Sequence, residues 1–391
     1  MDKIKGVNLG NWLVLEKWMS PGLFDGTDAM DEFHLPQKLS REVYEARIHV
    51  HRCEYISERD FARIRGLGLN SVRIPVPYFI FGDCPPFIGC VEELDKAFSW
   101  AEKYGLKILI DLHTVPGSQN GFDNGGICGV CTWSSSPENV KFTLDLLEKL
   151  AVRYGLREGL LGITPVNEPA TENIWRLMDV PNRYRAVETE LARKSKPVAF
   201  SFLEKFYLDA YDRMRPNMAD DKMIIFHDGF EPERWRLFFE SHGLKGVMLD
   251  THQYLMTAET QGCRQTKEGY LEWIREIYAP MIARVQKYVP VVCGEWCLFN
   301  SLAAGVDTKG GQSVLNGREN TAAQSRILSP GEKRELYLAL AQAQTDAWKL
   351  GSGYYYWSYK VLLDTVNQPQ WQGWDAWDFG KSCDEGWFSE Q

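Results

Sequence analysis

Residues 160–169 read LLGITPVNEP. Leu160, Leu161, Ile163 and Val166 read as the core of a buried strand, and Pro169 removes a backbone donor and ends the ladder. Asn167 and Glu168 follow the apolar run with no turn residue between them. A carboxylate at the C-terminal tip of an inner parallel strand is where a barrel keeps its chemistry. The fold therefore turns on whether this pattern recurs along the chain. The function turns on whether Glu168 has a partner.

The pattern recurs eight times. GVNLGNW (6–12), SVRIPV (71–76), KILIDLH (107–113) and LLGITPV (160–166) are followed by MIIFHDG (223–229), VMLDTHQY (247–254), PVVCGEW (290–296) and GYYYWSY (353–359). Amphipathic segments lie between them. SERDFARIRGLG opens on a serine cap, carries apolar residues at helical spacing and closes on glycine. VEELDKAFSWAEKYG, ENVKFTLDLLEKLAVRYG, SFLEKFYLDAYDRM, PERWRLFFESHG, GYLEWIREIYAPMIARVQKYV and GEKRELYLALAQAQTDAWKLG read the same way. Strands alternating with helices imply parallel pairing, and eight units close naturally into an α/β fold of the (β/α)8 TIM-barrel type. A doubly wound open sheet is the alternative, but no GxGxxG follows the first strand. A single domain is expected over 1–391, with long strand-to-helix loops at 13–56, 114–137, 167–194 and 297–328 crowding one face.

Composition narrows the function. The 391 residues are 44% hydrophobic and 25% charged, ordinary for a globular chain. Net charge is −9, and no run of Lys or Arg exceeds two, which argues against a nucleic-acid partner. Fourteen Trp and 17 Tyr exceed what a core needs, and aromatic faces on a concave surface are suited to sugar rings. No stretch reaches the ~18 apolar residues of a membrane span, and the N-terminus shows no h-region of a secretory signal. A cytoplasmic monomer with reduced thiols is expected, or an extracellular protein if a leader has been removed. Cys128 and Cys131 form a lone CxxC, readable as a local disulfide, two free thiols or, least readily, half a metal site.

Several strand tips carry polar groups: Arg73 in the second strand, Asp111 and His113, Asn167 and Glu168, His227 and Asp228, His252 and Tyr254, Glu295 and Trp296, Trp357 and Tyr359. Strands four and seven face each other across a barrel mouth. Glu168 and Glu295 are thus placed as the two carboxyl groups of a retaining glycosidase, which stand ~5–5.5 Å apart. Asn167 can reach the sugar 2-hydroxyl. Arg73 and Tyr254 can hold Glu295 ionised, which makes it the better nucleophile and Glu168 the better acid/base. Each glutamate alone reads equally well as a strand ending in solvent. His113 and His252 with Asp111 and Asp228 form a rival metal set, but the first strand lacks the early HxH of metallo-hydrolase barrels, and neither metal nor cofactor is expected. Trp357 reads as core or as the floor under a sugar ring.

These residues resemble glycoside hydrolase family 5, and within it the exo-β-1,3-glucanase group. GVNLGNWLVLEKWMSPGLFDG is similar to that group's opening and LIDLHTVPGSQNGFDNGG to its third-strand loop. NEP (167–169), HQY (252–254), GEW (294–296) and YYYWSYK (354–360) follow in order. The resemblance implies a retaining hydrolase releasing glucose from the non-reducing ends of a β-glucan oligosaccharide or β-glucoside. It implies Glu168 as acid/base, Glu295 as nucleophile, and Arg73, His113, Asn167, His252, Tyr254 and Trp357 around the reacting sugar. It adds Glu16, which alone in LVLEKW reads as a solvated loop charge, as the group that grips the distal hydroxyls, with Trp12, Trp18 and Phe24 shaping the wall. Phe122, with Asp123 and Asn124, falls at the leaving-group side. The second aromatic expected there is replaced by Leu255, Met256 and Thr257, and the 300–328 insert and the tail QGWDAWDFGKSCDEGWF depart from the pattern. Glycosides of phenolics, including disaccharide glycosides, are the alternative substrate class. A sugar-binding barrel without catalysis is the alternative of another kind.

Overall fold

The computed structural model describes residues 2–304, 328–368, 371 and 373–388. Eight parallel strands close in sequence order: β1 Ile4–Asn8, β2 Ser71–Val76, β3 Lys107–Leu112, β4 Leu160–Thr164, β5 Met223–His227, β6 Val247–His252, β7 Val291–Trp296 and β8 Gly353–Tyr356. Pairing of β8 with β1, Ile4 opposite Gly353, leaves no open edge. Each expected strand is present. The first is displaced from the expected 6–12 run because Asn11, in a left-handed conformation with φ of 61°, turns the chain across the barrel mouth.

Alternation of side chains sorts each strand into two packing surfaces. Inward residues Ile4, Leu109, Leu161, Ile225, Met248, Val292 and Tyr355 plug the lower barrel. Outward residues join the large core between strands and helices. Above the plug, the same inward rows switch to Arg73, Asp111 and Asp250, all fully buried.

The outer ring follows the caps read in the sequence. Helix Glu58–Gly66 starts where the Ser57 backbone N–H and hydroxyl donate to Asp60. Val91–Tyr104 stops at Gly105, whose φ of 66° suits a residue without Cβ. Pro137–Tyr154 and Pro330–Trp348 begin on Ser136 and Ser329, each with proline in its first turn. The helix beginning at Lys267 carries Pro280. It widens to a π segment over Ile274–Tyr278 and continues over Ala279–Val285, so the turn that loses a donor to proline is loosened rather than broken.

Two long loops hold structure that the sequence reading did not foresee. Segment 13–56 contains a helix, Arg41–Tyr55, capped by Ser40. Its buried stripe is Tyr44, Ile48, His51, Arg52 and Tyr55, mostly amphipathic side chains, so its periodicity is masked by polarity. Segment 167–194 carries three short helices, Glu172–Leu177, Val180–Arg183 and Thr189–Ala192. The 300–328 insert lies outside the described residues from 305 to 327. Among the described residues no helix is long and apolar enough to cross a membrane. Cys128 and Cys131 are buried free thiols, and burial pushes both up in pKa.

Candidate active site

Two local distortions deliver the carboxylates. In β7, Val292 faces the barrel interior, so strict alternation would send Glu295 outward. Instead Thr251 pairs with Cys293 and His252 with Glu295, leaving Gly294 as an extra residue on β7. This bulge turns Glu295 into the mouth in phase with His252, while Trp296 returns to the outer core. Asn8 donates to the Gly294 carbonyl at 2.9 Å and fixes it. Only glycine fits, since a Cβ at 294 would lie 2.1 Å from an Asp250 carboxylate oxygen. At the tip of β4, Glu168 itself takes a left-handed φ of 43°, so Asn167 and Glu168 both face inward.

Arg73 sits at the centre, fully buried. Its guanidinium donates to Glu295 Oε1 at 2.8 Å, Asn8 Oδ1 at 2.9 Å and Asn167 Oδ1 at 2.7 Å, with Asp111 at 3.0 Å. Tyr254 donates its hydroxyl to Glu295 Oε2 at 2.7 Å. His252 Nδ1 lies 2.8 Å from Glu168 Oε1 and 3.5 Å from Glu295 Oε2. One imidazole nitrogen thus hydrogen-bonds Glu168 and lies within ion-pair distance of Glu295. Their nearest oxygens therefore lie within the sum of those two distances of each other.

The remaining polar groups are aimed by neighbours. Asn167 accepts from Arg73 through its oxygen, leaving Nδ2 without a protein partner. His113 Nδ1 donates to Asp111 at 2.7 Å, leaving Nε2 free and facing Glu16 at 3.9 Å. Trp357 lies flat against His113, 5.5 Å between centroids and 10° between planes. Gln119 donates to the carbonyls of His113 and Asn167, tying the third and fourth strand tips together. Asn124 donates to Glu168 Oε2 at 2.7 Å. Glu16 is buried rather than solvated and accepts from Trp18 at 2.8 Å.

Burial raises Glu16 well above the usual carboxylate range, with Asp123, Glu295 and Glu168 adding to it against the Trp18 hydrogen bond. Asp123 is pushed up to about 6, chiefly by burial. For His252, burial opposes the charged form, but Glu295, Asp250 and Glu168 outweigh it and raise the imidazole. Burial also acts on Glu168, yet the hydrogen bond and charge of His252 and the Asn124 amide lower it. Glu295 is raised by burial and by Glu168, against His252 and Arg73. The last two directions are the reverse of an acid at 168 and a carboxylate at 295. The donors around them argue otherwise. Glu295 faces an arginine that cannot release its proton, whose charge favours the carboxylate, and a phenol that donates to its other oxygen. His252 and Glu168 share a 2.8 Å hydrogen bond, so the protonation of one bears directly on the other.

A cleft open to solvent is lined by Glu16, Phe122, Asp123, Asn124, Glu168, Tyr254, Glu295 and Trp357 among others. Twelve sequence-selected residues therefore converge: eight line the cleft, and Arg73, His113, Asn167 and His252 stand directly behind them. The model for "Cellulase (glycosyl hydrolase family 5)" matches residues 40–316. The chain belongs to glycosyl hydrolase family 5. It is a family 5 glycoside hydrolase 31% identical to "Probable glucan 1,3-beta-glucosidase A" of Aspergillus terreus over 405 aligned positions, spanning 99% of this chain and 88% of that one. The "Glucan 1,3-beta-glucosidase" of Blumeria graminis is 30% identical over 95% of this chain and 84% of its own. The rutinosidase from Aspergillus niger superposes with a TM-score of 0.71 over 99% of this chain and 98% of that one, at 20% identity, a likeness of fold.

Some family 5 site features were not legible. The tail, which departed from the pattern, supplies Trp374 and Trp377. They pack on Trp18 at 5.7 and 5.2 Å and on Phe299 at 5.1 and 5.3 Å, and all four line the cleft. The density of tryptophan in GWDAWDF is the signal that marks them. Of the wall residues expected beside Glu16, only Trp18 is one. Trp12 stacks on Trp100, and Phe24 packs with Leu15, Leu35 and Tyr44, both in core. The aromatic missing at 255–257 has a counterpart in Phe230, edge-on to Phe122 at 6.4 Å. The rival metal set is not assembled: His113 pairs with Asp111, and the group within 4.8 Å among the described residues is Glu168, His227 and His252.

Proposed function

We propose that this family 5 hydrolase is a retaining, exo-acting β-1,3-glucosidase that removes glucose from non-reducing ends. The observation carrying the reading is the pair of carboxylates joined through His252, one of them held by Arg73 and Tyr254. In the first step Glu295 attacks the anomeric carbon. The bond to the leaving oxygen breaks, and that oxygen takes a proton from Glu168, which is left as a carboxylate. In the second, water attacks the glycosyl-Glu295 ester while Glu168 removes its proton, returning the sugar with its configuration retained. Asn167 Nδ2 is free to donate to the 2-hydroxyl, His113 Nε2 meets the next hydroxyl, and Trp357 lies under the ring.

The exo reading is supported by the closed end of the cleft. Among the described residues, Glu16 and Trp18 abut the Trp374 and Trp377 pair at that end of the cleft. The β-1,3 linkage is supported by the names borne by the relatives that align over nearly the whole chain. All the residues come from one chain, so a monomer suffices. The test is labelling with 2-deoxy-2-fluoro-β-glucosyl fluoride, which stalls the ester. Peptide mapping should place the sugar on Glu295. A label on Glu168, or none with activity retained, contradicts the assignment.

A further inference from the structure

We propose that Asp250 is a positioning residue for the acid/base step: it faces the Nε2 side of His252 and keeps the Nδ1 side turned to Glu168. This rests on Glu168 being the proton donor of the reaction proposed above. His252 stands between two acids, with Glu168 2.8 Å from Nδ1 and Asp250 3.4 Å from Nε2. His252 Nε2 and both Asp250 oxygens are buried, and no other hydrogen bond satisfies them. Buried polar groups need partners, so these three atoms serve one another.

The sequence carries the arrangement twice, and the structure uses it in opposite senses. Asp111-Leu112-His113 at the end of β3 and Asp250-Thr251-His252 on β6 each set an aspartate and a histidine two residues apart, on one face. On β3, His113 Nδ1 donates to Asp111 at 2.7 Å, and Nε2 is left for a sugar hydroxyl. On β6, Asp250 faces Nε2 instead, and Nδ1 is left for Glu168. The bulge in β7 makes this possible. A Cβ at Gly294 would lie 2.1 and 2.3 Å from the two Asp250 oxygens, so the residue at which Glu295 turns inward also leaves room for this carboxylate.

The other groups around His252 do not supply the same hold. His227 on β5 meets it edge-on, 4.4 Å between centroids. Its Nδ1 accepts from the Gly229 N–H at 3.0 Å, and burial lowers its pKa well below the usual range, so it stays neutral. Asp228 is pushed up to about 7 by burial and accepts from the Phe230 N–H at 2.6 Å. Glu295 on β7 lies on the Nδ1 side at 3.5 Å and accepts from Tyr254 through the same oxygen. Arg73 on β2 sets a positive charge 3.9 Å from Asp250. With Asp250 at Nε2, a protonated Glu168 donates to Nδ1, and an ionised Glu168 accepts from Nδ1 of the charged ring. One contact then serves both steps of the reaction.

The test is the pH dependence of kcat/KM for Asp250→Asn, which keeps an acceptor for Nε2 and removes the charge. Without that negative charge, the proton shared by His252 and Glu168 is easier to lose. With phenyl β-glucoside, whose leaving group needs a proton, the alkaline limb should move down by at least about one pH unit. With 2,4-dinitrophenyl β-glucoside, whose leaving group needs none, the alkaline profile should stay as in the native enzyme. A limb midpoint does not depend on the fraction folded, so partial misfolding does not imitate the shift. An unmoved limb overturns the inference, as does an equal shift with both substrates. If either is found while Glu168→Ala loses activity on the phenyl glucoside, Glu168 remains the acid. Native activity on that substrate in Glu168→Ala overturns both. Nitrogen-15 NMR of the native protein, with His252→Gln for assignment, should show His252 Nε2 protonated at every pH at which the chain is folded. An Nε2 that loses its proton while Nδ1 keeps one overturns the inference even where Asp250→Asn does not fold.

Discussion

Arg73 is a full charge with no solvent contact, in the middle of a barrel. Such a charge persists only when paired, and here Glu295, Asp111, Asn8 and Asn167 surround it. Removing it leaves Glu295 and Asp111 buried without the guanidinium charge that pairs with both. Arg73→Met is predicted to destabilise the fold by about 3–5 kcal/mol and to abolish turnover, checked by denaturant unfolding and by assay. Glu168→Ala and Glu295→Ala should each lower kcat at least ~10³-fold with the fold intact. Azide should rescue the first to a β-glucosyl azide and the second to an α-glucosyl azide. Near-normal rates in both would end the assignment. Glu16 is buried against Trp18 and close to His113, so it can hold sugar hydroxyls but touches no bond that breaks. Glu16→Ala is predicted to lower kcat/KM by roughly 10- to 150-fold, the worth of a charged hydrogen bond, without removing the chemistry. No change would mean that Glu16 is a bystander.

At the scale of elements, the strands were legible because their apolar runs are short and their tips polar, and the Ser and Gly caps marked the helices between them. The two distortions that make the site were not. A bulge leaves no mark in composition beyond one glycine, and GEW reads the same with or without it. Gly294→Ala tests it directly. The added methyl must displace Asp250 or the bulge, and overpacking of this kind costs about 1–3 kcal/mol. Activity should fall further than stability, because Glu295 turns with the strand; a variant with normal kcat would show that the bulge does not aim it. Helix Arg41–Tyr55 escaped notice because its buried stripe includes His51 and Arg52. His51 contacts the Asn11 carbonyl at 2.6 Å, and burial lowers its pKa to about 4. The folded state therefore binds fewer protons than the unfolded between about pH 6.5 and 4. This stabilisation is present above pH 6.5 and lost as pH falls through 4, about 3 kcal/mol in all. Chemical denaturation at pH 7 and pH 4 should show His51→Gln losing less stability on acidification than the native chain. An equal loss would exonerate His51.

For the whole molecule, the closed barrel and the convergence of six strand tips followed from the repeated strand–helix alternation, since closure forces those tips onto one face. The glycone end did not follow, because its wall is assembled from Trp18, Phe299, Trp374 and Trp377, which lie in segments far apart in sequence. No local pattern announces such a contact. The wall matters because it lines one side of the cleft that holds Glu295 and Glu168. A sugar bound there has one orientation for Glu295 to attack, and the product's configuration reports whether it does. The most direct measurement is time-resolved proton NMR of laminaritriose hydrolysis. The two-carboxylate account predicts that β-glucose appears first, with laminaribiose, and that the α anomer grows in only by mutarotation. First appearance of α-glucose would contradict it.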